Sequence, residues 1–253
     1  MIEPSALPAW DHRWALFLDV DGTLLDIEEH PDDVRAAPRL RWLLAAAGNS
    51  LDGALALVSG RSIASLDAVF HPLRLPAAGL HGLERRDASG RVHYPTGYAQ
   101  RIAAARGALL EFVQSEPGLL LEDKGAALAL HYRGAPALEA ECRRRIGAAR
   151  EAAGEDFHVQ HGKMVFELKP SGRDKGTAVN DFMGEAPFRG RRPVFVGDDV
   201  TDEDGFRAVN ALDGISIRVG ESAGSAARLL AADVAAILDW LNQSTEPSHA
   251  ASD

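Results

Sequence analysis

Leu16-Phe17-Leu18-Asp19-Val20-Asp21-Gly22-Thr23 is the stretch on which the fold turns. Three apolar residues form a short run that stops abruptly at a carboxylate. Such a run reads as a buried parallel strand leading into a loop. Asp21-Gly22-Thr23 is a good turn sequence by itself, and a turn accounts for Asp21 and Gly22. It does not account for Asp19, because an unpaired charge at the end of a buried strand is costly. A bound cation relieves that cost.

Working outward, the βαβ rhythm of an α/β sheet appears on both sides of a central interruption. Residues 38–47 read as a helix with proline in its first turn. Residues 54–58 read as a second buried strand. Ser59-Gly60-Arg61 follows, and then Ile63, Leu66, Val69 and Phe70 recur at helical spacing. The rhythm resumes near Arg173. Residues 176–183 read as a helix, 193–196 as a strand ending in Gly197-Asp198-Asp199, and 202–209 as a helix. Residues 215–219 read as a strand, and 222–230 and 234–241 as helices. The polar stretch 243–253 reads as a frayed end.

Between these halves the pattern changes. Residues 83–94 read as a hairpin around Ala88-Ser89-Gly90. A helix carries Ile102, Leu109, Phe112 and Val113 on one side. Strands follow at 119–121 and 128–132, a helix at about 137–153, and strands at 157–160 and 164–168 joined at Gly162. Hairpins imply an antiparallel sheet. The expected architecture is therefore α/β, a Rossmann-like parallel-sheet core with an inserted α+β domain. The core takes 1–82 and 170–253, and the insertion takes 83–169.

A chain of 253 residues accommodates both without covalent staples, and the single cysteine, Cys142, has no partner for an internal disulfide. A reducing, cytoplasmic setting is the expectation. Residues 1–14 show no apolar leader, and no stretch approaches the roughly 20 apolar residues of a membrane span. The net charge of −10 disfavours nucleic acid as a partner. Arg143, Arg144 and Arg145 sit among Glu139, Glu141 and Glu151 and read as a solvated helix face. The sequence leaves the oligomeric state open, with a monomer as the expectation. Trp10 and Trp14 read as core or rim.

Four polar segments end strands or open helices: Asp19 to Thr23, Ser59-Gly60-Arg61, Lys175, and Gly197-Asp198-Asp199. In an open parallel sheet such segments gather at the carboxyl edge, where ligands bind. Their residue types suit phosphate ester hydrolysis, which requires very large acceleration. A carboxylate nucleophile, Asp19, divides the reaction into two easier steps through an aspartyl-phosphate. Anion attacking anion needs positive charge. Mg²⁺ held by Asp19, the Asp21 carbonyl and Asp198 supplies it. Asp21 is the candidate acid for the leaving oxygen and base for the attacking water. Ser59 and Gly60 offer a hydroxyl and N–H groups to a phosphate oxygen, and Arg61 is a further candidate contact. A lysine is disfavoured at a helix N-terminus unless an anion is near, which marks Lys175. Asp202 is placed to orient Lys175 or a metal-bound water, and Glu203 and Asp204 complement the dipole of the helix they open.

This set resembles the haloacid dehalogenase superfamily of phosphotransferases over nearly the whole chain. Asp19-Val20-Asp21-Gly22-Thr23 resembles its first motif, Ser59 its second, Lys175 its third, and Gly197-Asp198-Asp199 with Asp202 its fourth. The resemblance implies a cap domain inserted between the second and third motifs. Within the superfamily the chain resembles the trehalose-6-phosphate phosphatases. The resembling stretches are Gly79-Leu80-His81-Gly82-Leu83-Glu84, Glu122-Asp123-Lys124 with His131-Tyr132-Arg133, Gly162-Lys163 with Glu167-Leu168-Lys169-Pro170, and Gly197 to Glu203. It implies that Glu122, Lys124 and Glu167 hydrogen-bond the hydroxyls of a sugar phosphate substrate. His81, His131 and Arg133 are weaker candidates. Another phosphosugar phosphatase, such as one for sucrose phosphate, or a phosphosugar mutase is the alternative within enzymes. A receiver module would need neither the insertion nor the second carboxylate. A silent sugar-phosphate sensor would not need the intact acidic set.

Overall fold

A computed structural model describes residues 6–26, 34–94, 97–125, 127–162, 164–221 and 224–245. The chain divides into two compact units, Met1–His93 with Arg173–Asp253, and Tyr94–Gly172.

The first unit is built on an eight-stranded sheet. Its strands are β1 (Trp14–Leu18), β2 (Leu55–Val58), β3 (Ala77–Gly79), β4 (Glu84–Arg86), β5 (Val92–His93), β10 (Arg192–Gly197), β11 (Ile215–Val219) and β12 (Leu229–Ala231), in the spatial order β12-β11-β10-β1-β2-β3-β4-β5. Pairing is parallel from β12 to β3. It is antiparallel across β3-β4-β5. All of β1 and β2 is buried, which is why both read as continuous apolar runs. The helices are α1 (Pro38–Ser50), α2 (Ile63–Phe70), α5 (Lys175–Met183), α6 (Glu203–Ala211) and α7 (Val234–Asn242). Phe17 of β1 packs its ring 5.9 Å from Phe182 and 5.6 Å from Phe188. Trp14 is buried, and Trp10, Trp14 and Trp240 form an aromatic cluster with centroids 5.5–5.8 Å apart, so both N-terminal tryptophans belong to the core and its rim.

The topology places the chemistry. β1 is central, with β2 on one side and β10 on the other. From β1 the chain moves to β2 and β3 in one direction and later returns to β10 and β11 in the other. The crevice outside the carboxyl ends of β1 and β10 is therefore a topological switch point. Asp19 follows β1 and Asp198 follows β10.

The second unit holds α3 (Tyr98–Ser115), β6 (Leu120–Asp123), β7 (Leu128–His131), α4 (Glu139–Ala153), β8 (Phe157–Gly162) and β9 (Val165–Pro170). Its antiparallel sheet has the order β6-β7-β9-β8. Ile102, Leu109 and Phe112 of α3 and Cys142, Ile146 and Ala149 of α4 pack on Leu128, Leu130, Phe166 and Leu168. Strand alternation turns Glu122, Ala129 and Glu167 to the opposite face.

Three expectations are corrected. The sequence places the hairpin at 83–94 in the insertion, but β4 hydrogen-bonds to β3 and extends the first unit's sheet. The division therefore falls at Tyr94, not Leu83, and it falls after Gly172, not after Lys169. The helix expected over 222–230 is not formed in its described part: Leu229–Ala231 is strand β12, paired with Ile217–Val219. Residues 222–223 and 246–253 lie outside the described residues, as does Lys163. Among the described residues no helix is long and apolar enough to cross a membrane.

Candidate active site

The four polar segments meet where the topology directs them. Lys175 opens α5 behind Asp174, whose side chain caps the helix in a capping box with Thr177. Its ammonium donates to Asp19 Oδ1 at 2.8 Å and to Asp202 Oδ1 at 2.6 Å. Lys175 is 2% exposed and Asp202 is 0%, so this is a buried charged network. Such networks are stable only when every member is satisfied. Asp202 meets that demand, because its second oxygen accepts the Asp198 and Asp199 amides at 3.0 and 2.9 Å.

Burial pushes the Asp19 carboxyl well above the usual carboxylate range; Lys175 opposes the rise and Asp202 adds to it. Asp198 is raised by burial and by Asp202, against hydrogen bonds from Asp19 and Thr23. Burial alone would lower Lys175, but Asp19 and Asp202 outweigh it and hold the ammonium charged. The protein thus pays to keep two acidic groups together. Carboxylate oxygens of Asp19, Asp198 and Asp202 lie within 4.8 Å of one another. The donors are hard oxygens, and their mutual repulsion is what a cation removes. Asp202 already spends both oxygens on Lys175 and backbone amides, which leaves Asp19 and Asp198 as the side chains suited to a metal ion.

Gly22 permits this approach. It adopts φ +80°, and a Cβ built there would lie 2.1 Å from Asp198 Oδ2. Gly22→Ala should therefore incur about 1–2 kcal/mol of left-handed backbone strain and also displace the Asp198 carboxylate. We expect a lower Tm together with loss of activity. An alanine variant with wild-type Tm and turnover would show that the close packing of residue 22 on Asp198 is dispensable.

Asp21 and Arg61 form a pair. Arg61 Nε and Nη2 each lie 2.7 Å from an Asp21 oxygen. Arg61 was expected on a phosphate; here its guanidinium is on the candidate acid. Ser59 is buried at the end of β2, and its hydroxyl accepts the Arg61 amide at 3.1 Å. Its carbonyl accepts the His81 amide at 3.0 Å. Gly60 lies so close to His81 that a Cβ would stand 2.8 Å from the imidazole. Glu84, also buried, accepts the Ile63 amide at the start of α2 and so ties the Ser59 loop to β4.

In the second unit the expected trio comes together on one sheet face. Glu122, Ala129 and Glu167 are in register across β6, β7 and β9. Lys124 Nζ is 2.8 Å from Glu167 Oε1 and 4.0 Å from Glu122 Oε2. His131 lies 3.1 Å from Glu122 and, by that hydrogen bond first, lowers its carboxyl. Arg143, Arg144 and Arg145 pair with Glu139 and Glu141 on exposed helix surface, as expected.

Sequence reasoning placed Thr23 in the first polar segment but gave it no partner; its hydroxyl donates to Asp198 at 3.2 Å. The same reasoning missed Arg218 and the further partners of Glu203. Glu203 stands in the first turn of α6 as expected, and it also accepts from Ser225, Ala226 and Arg218. A charged residue inside the apolar run Ile215–Val219 was the available signal.

An acidic pair after the central strand, a lysine bridging it to a second acidic segment, and a hydroxyl loop on the neighbouring strand form the arrangement expected from the resemblance to the haloacid dehalogenase superfamily. A solved structure of a phosphatase of that superfamily from Bacteroides thetaiotaomicron shares the fold, with TM-score 0.60 over 95% of this chain and 98% of that one at 17% identity. The trehalose-phosphatase family model matches residues 17–233, and the chain belongs to that family. It is 43% identical over 249 residues to the trehalose-6-phosphate phosphatase of Escherichia coli, covering 97% of this chain and 92% of that one. It is 49% identical over 216 residues to a probable trehalose-phosphate phosphatase of Sinorhizobium fredii, covering 85% and 81%. The crystal structure of a trehalose-6-phosphate phosphatase related protein superposes with TM-score 0.71 at 28% identity, covering 90% of this chain and 95% of that one.

Proposed function

We propose that the chain hydrolyses trehalose 6-phosphate to trehalose and phosphate, the last step of trehalose synthesis, and does so in the cytoplasm. The observation that carries this reading is that the family match spans both units, including the acidic site and the Glu122, Lys124, Glu167 trio. The first unit is the catalytic core and the second a cap that reads the sugar. Asp19 is the nucleophile and becomes the aspartyl-phosphate. Asp21 protonates the departing sugar oxygen and then takes a proton from the attacking water. Arg61, which holds both Asp21 oxygens here, keeps the acid beside the Ser59 loop. Ser59 and the Gly60 amide hold phosphate oxygens, and Lys175 keeps Asp19 oriented while neutralising charge. Asp19, the Asp21 carbonyl and Asp198 would hold Mg²⁺, which when bound offsets the repulsion between anionic nucleophile and anionic substrate.

The test is a phosphate-release panel with cap variants. Wild type should prefer trehalose 6-phosphate over sucrose 6-phosphate and glucose 6-phosphate. Glu122→Ala, Lys124→Ala and Glu167→Ala should each reduce kcat/KM on trehalose 6-phosphate by about ten- to a hundredfold, the worth of a charge-assisted hydrogen bond. A small aryl phosphate, lacking the sugar, should be turned over almost unchanged. Glucose 6-phosphate hydrolysed as well as trehalose 6-phosphate would overturn the substrate assignment.

A further inference from the structure

β11 reads Ile215-Ser216-Ile217-Arg218-Val219, and all five residues are buried. A guanidinium in such a strand is costly unless it is paired and hydrogen-bonded. Arg218 has two partners. Its Nη2 donates to the backbone carbonyl of Asp198. Its Nη1 lies 3.4 Å from Glu203 Oε1. Glu203 is itself fixed, accepting the Ser225 hydroxyl at 2.6 Å and the Ala226 amide at 2.7 Å. In the parallel register Arg218 lies beside Gly197, the residue just before Asp198.

Asp198 stands just past the end of β10, beyond the strand ladder. Its amide is bound by Asp202 at 3.0 Å. With its carbonyl on Arg218, both backbone polar groups of Asp198 are fixed. What remains is the carboxylate, which faces Thr23. The charges also balance. A lone guanidinium beside Asp198 would repel a cation, and Glu203 cancels it.

We propose that Arg218 and Glu203 are a positioning pair for the metal end of the site. Arg218 fixes the Asp198 backbone, Glu203 fixes and neutralises Arg218, and the Asp198 carboxylate is thereby presented in one orientation. Neither residue touches substrate or reacting atoms. The inference rests on the reading of Asp198 as a metal ligand.

The experiment is calorimetric titration of Mg²⁺ into chelator-stripped full-length protein: wild type, Arg218→Met, Arg218→Lys and Glu203→Gln. Each metal-free Tm is measured alongside. We expect Arg218→Met and Glu203→Gln to weaken Mg²⁺ binding by about tenfold or more, the usual effect of removing a residue that orients a metal ligand. Arg218→Lys should restore most of the affinity, since it keeps a charged donor. Folded variants with wild-type Mg²⁺ affinity, and a deficit confined to the metal-free Tm, would assign the pair to stability alone and overturn the inference. If Arg218→Met does not fold, Glu203→Gln, which preserves side-chain shape, decides by the same criterion. Wild type that binds no Mg²⁺ would remove the metal reading of Asp198 and this inference with it; wild type that binds while the variants bind equally removes the inference alone.

Discussion

Asp19→Asn should abolish phosphate release, by at least about a thousandfold, without unfolding the protein. The amide is nearly isosteric with the carboxylate but cannot attack phosphorus or neutralise a cation. The stability side of the prediction is more specific. Burial raises the Asp19 carboxyl, so its ionised form is disfavoured in the folded state. Lys175 keeps Asp202 at 2.6 Å when Asp19 is neutralised. The variant's metal-free Tm at neutral pH should therefore equal or exceed that of wild type, a stability cost held at the point of function. Differential scanning calorimetry and a sugar-phosphate assay on one preparation measure both. Substantial turnover by a folded Asp19→Asn protein would sink the nucleophile assignment. A collapse of Tm would mean that Asp19 is chiefly structural.

Metal removal should be equally complete in its effect on rate. Exhaustively chelated protein should release no phosphate, and Mg²⁺ should restore activity. Binding at a hundredfold excess over Kd stabilises by about 2.7 kcal/mol, a Tm increase on the order of 5–10 °C for a protein of this size. The sign with pH follows from the two raised carboxyls, Asp19 and Asp198. In the metal-free protein their contribution to stability is present at low pH and is lost as pH rises through their folded values. Mg²⁺ binds the ionised form, so the Mg²⁺-dependent increase in Tm should grow from mildly acidic to neutral pH. Full activity after chelation, verified by elemental analysis, would rule out the metal site.

The site's outline is legible in sequence because its residues stand where apolar runs stop. Asp19 after Leu16-Phe17-Leu18 and Asp198 after β10 break a pattern, and each break is local. Lys175 is legible for the same reason, as a cation at a helix start. What cannot be read locally is which sheet a hairpin joins. β4 and β5 alternate and turn like any hairpin, and it is the pairing of Ala77, Ala78 and Gly79 with Arg86, Arg85 and Glu84 that assigns them to the first unit. β12 has three residues, too few to show a period against the alanine-rich, helix-like stretch before it. Pairings over long separations are likewise invisible. Arg61 reads as a phosphate contact because nothing local reveals Asp21, 40 residues away, as its partner. Glu203 reads only as a dipole partner, which it is, because its second partner Ser225 is 22 residues further on.

The insertion also sets an order of assembly. Thr23 and Asp198 are 175 residues apart, and Asp19 and Lys175 are 156 apart. During synthesis the second unit is complete before β10 has been made. The strand that seats Asp198 beside Asp19 must then pair with β1 across that interval before β11 and β12 can add beyond it, a long-range pairing that is intrinsically slow. A nascent chain therefore carries the whole second unit while one edge of β1 still lacks its neighbour β10. The acidic centre is therefore incomplete until the chain has been made past Asp202 and β10 has paired with β1.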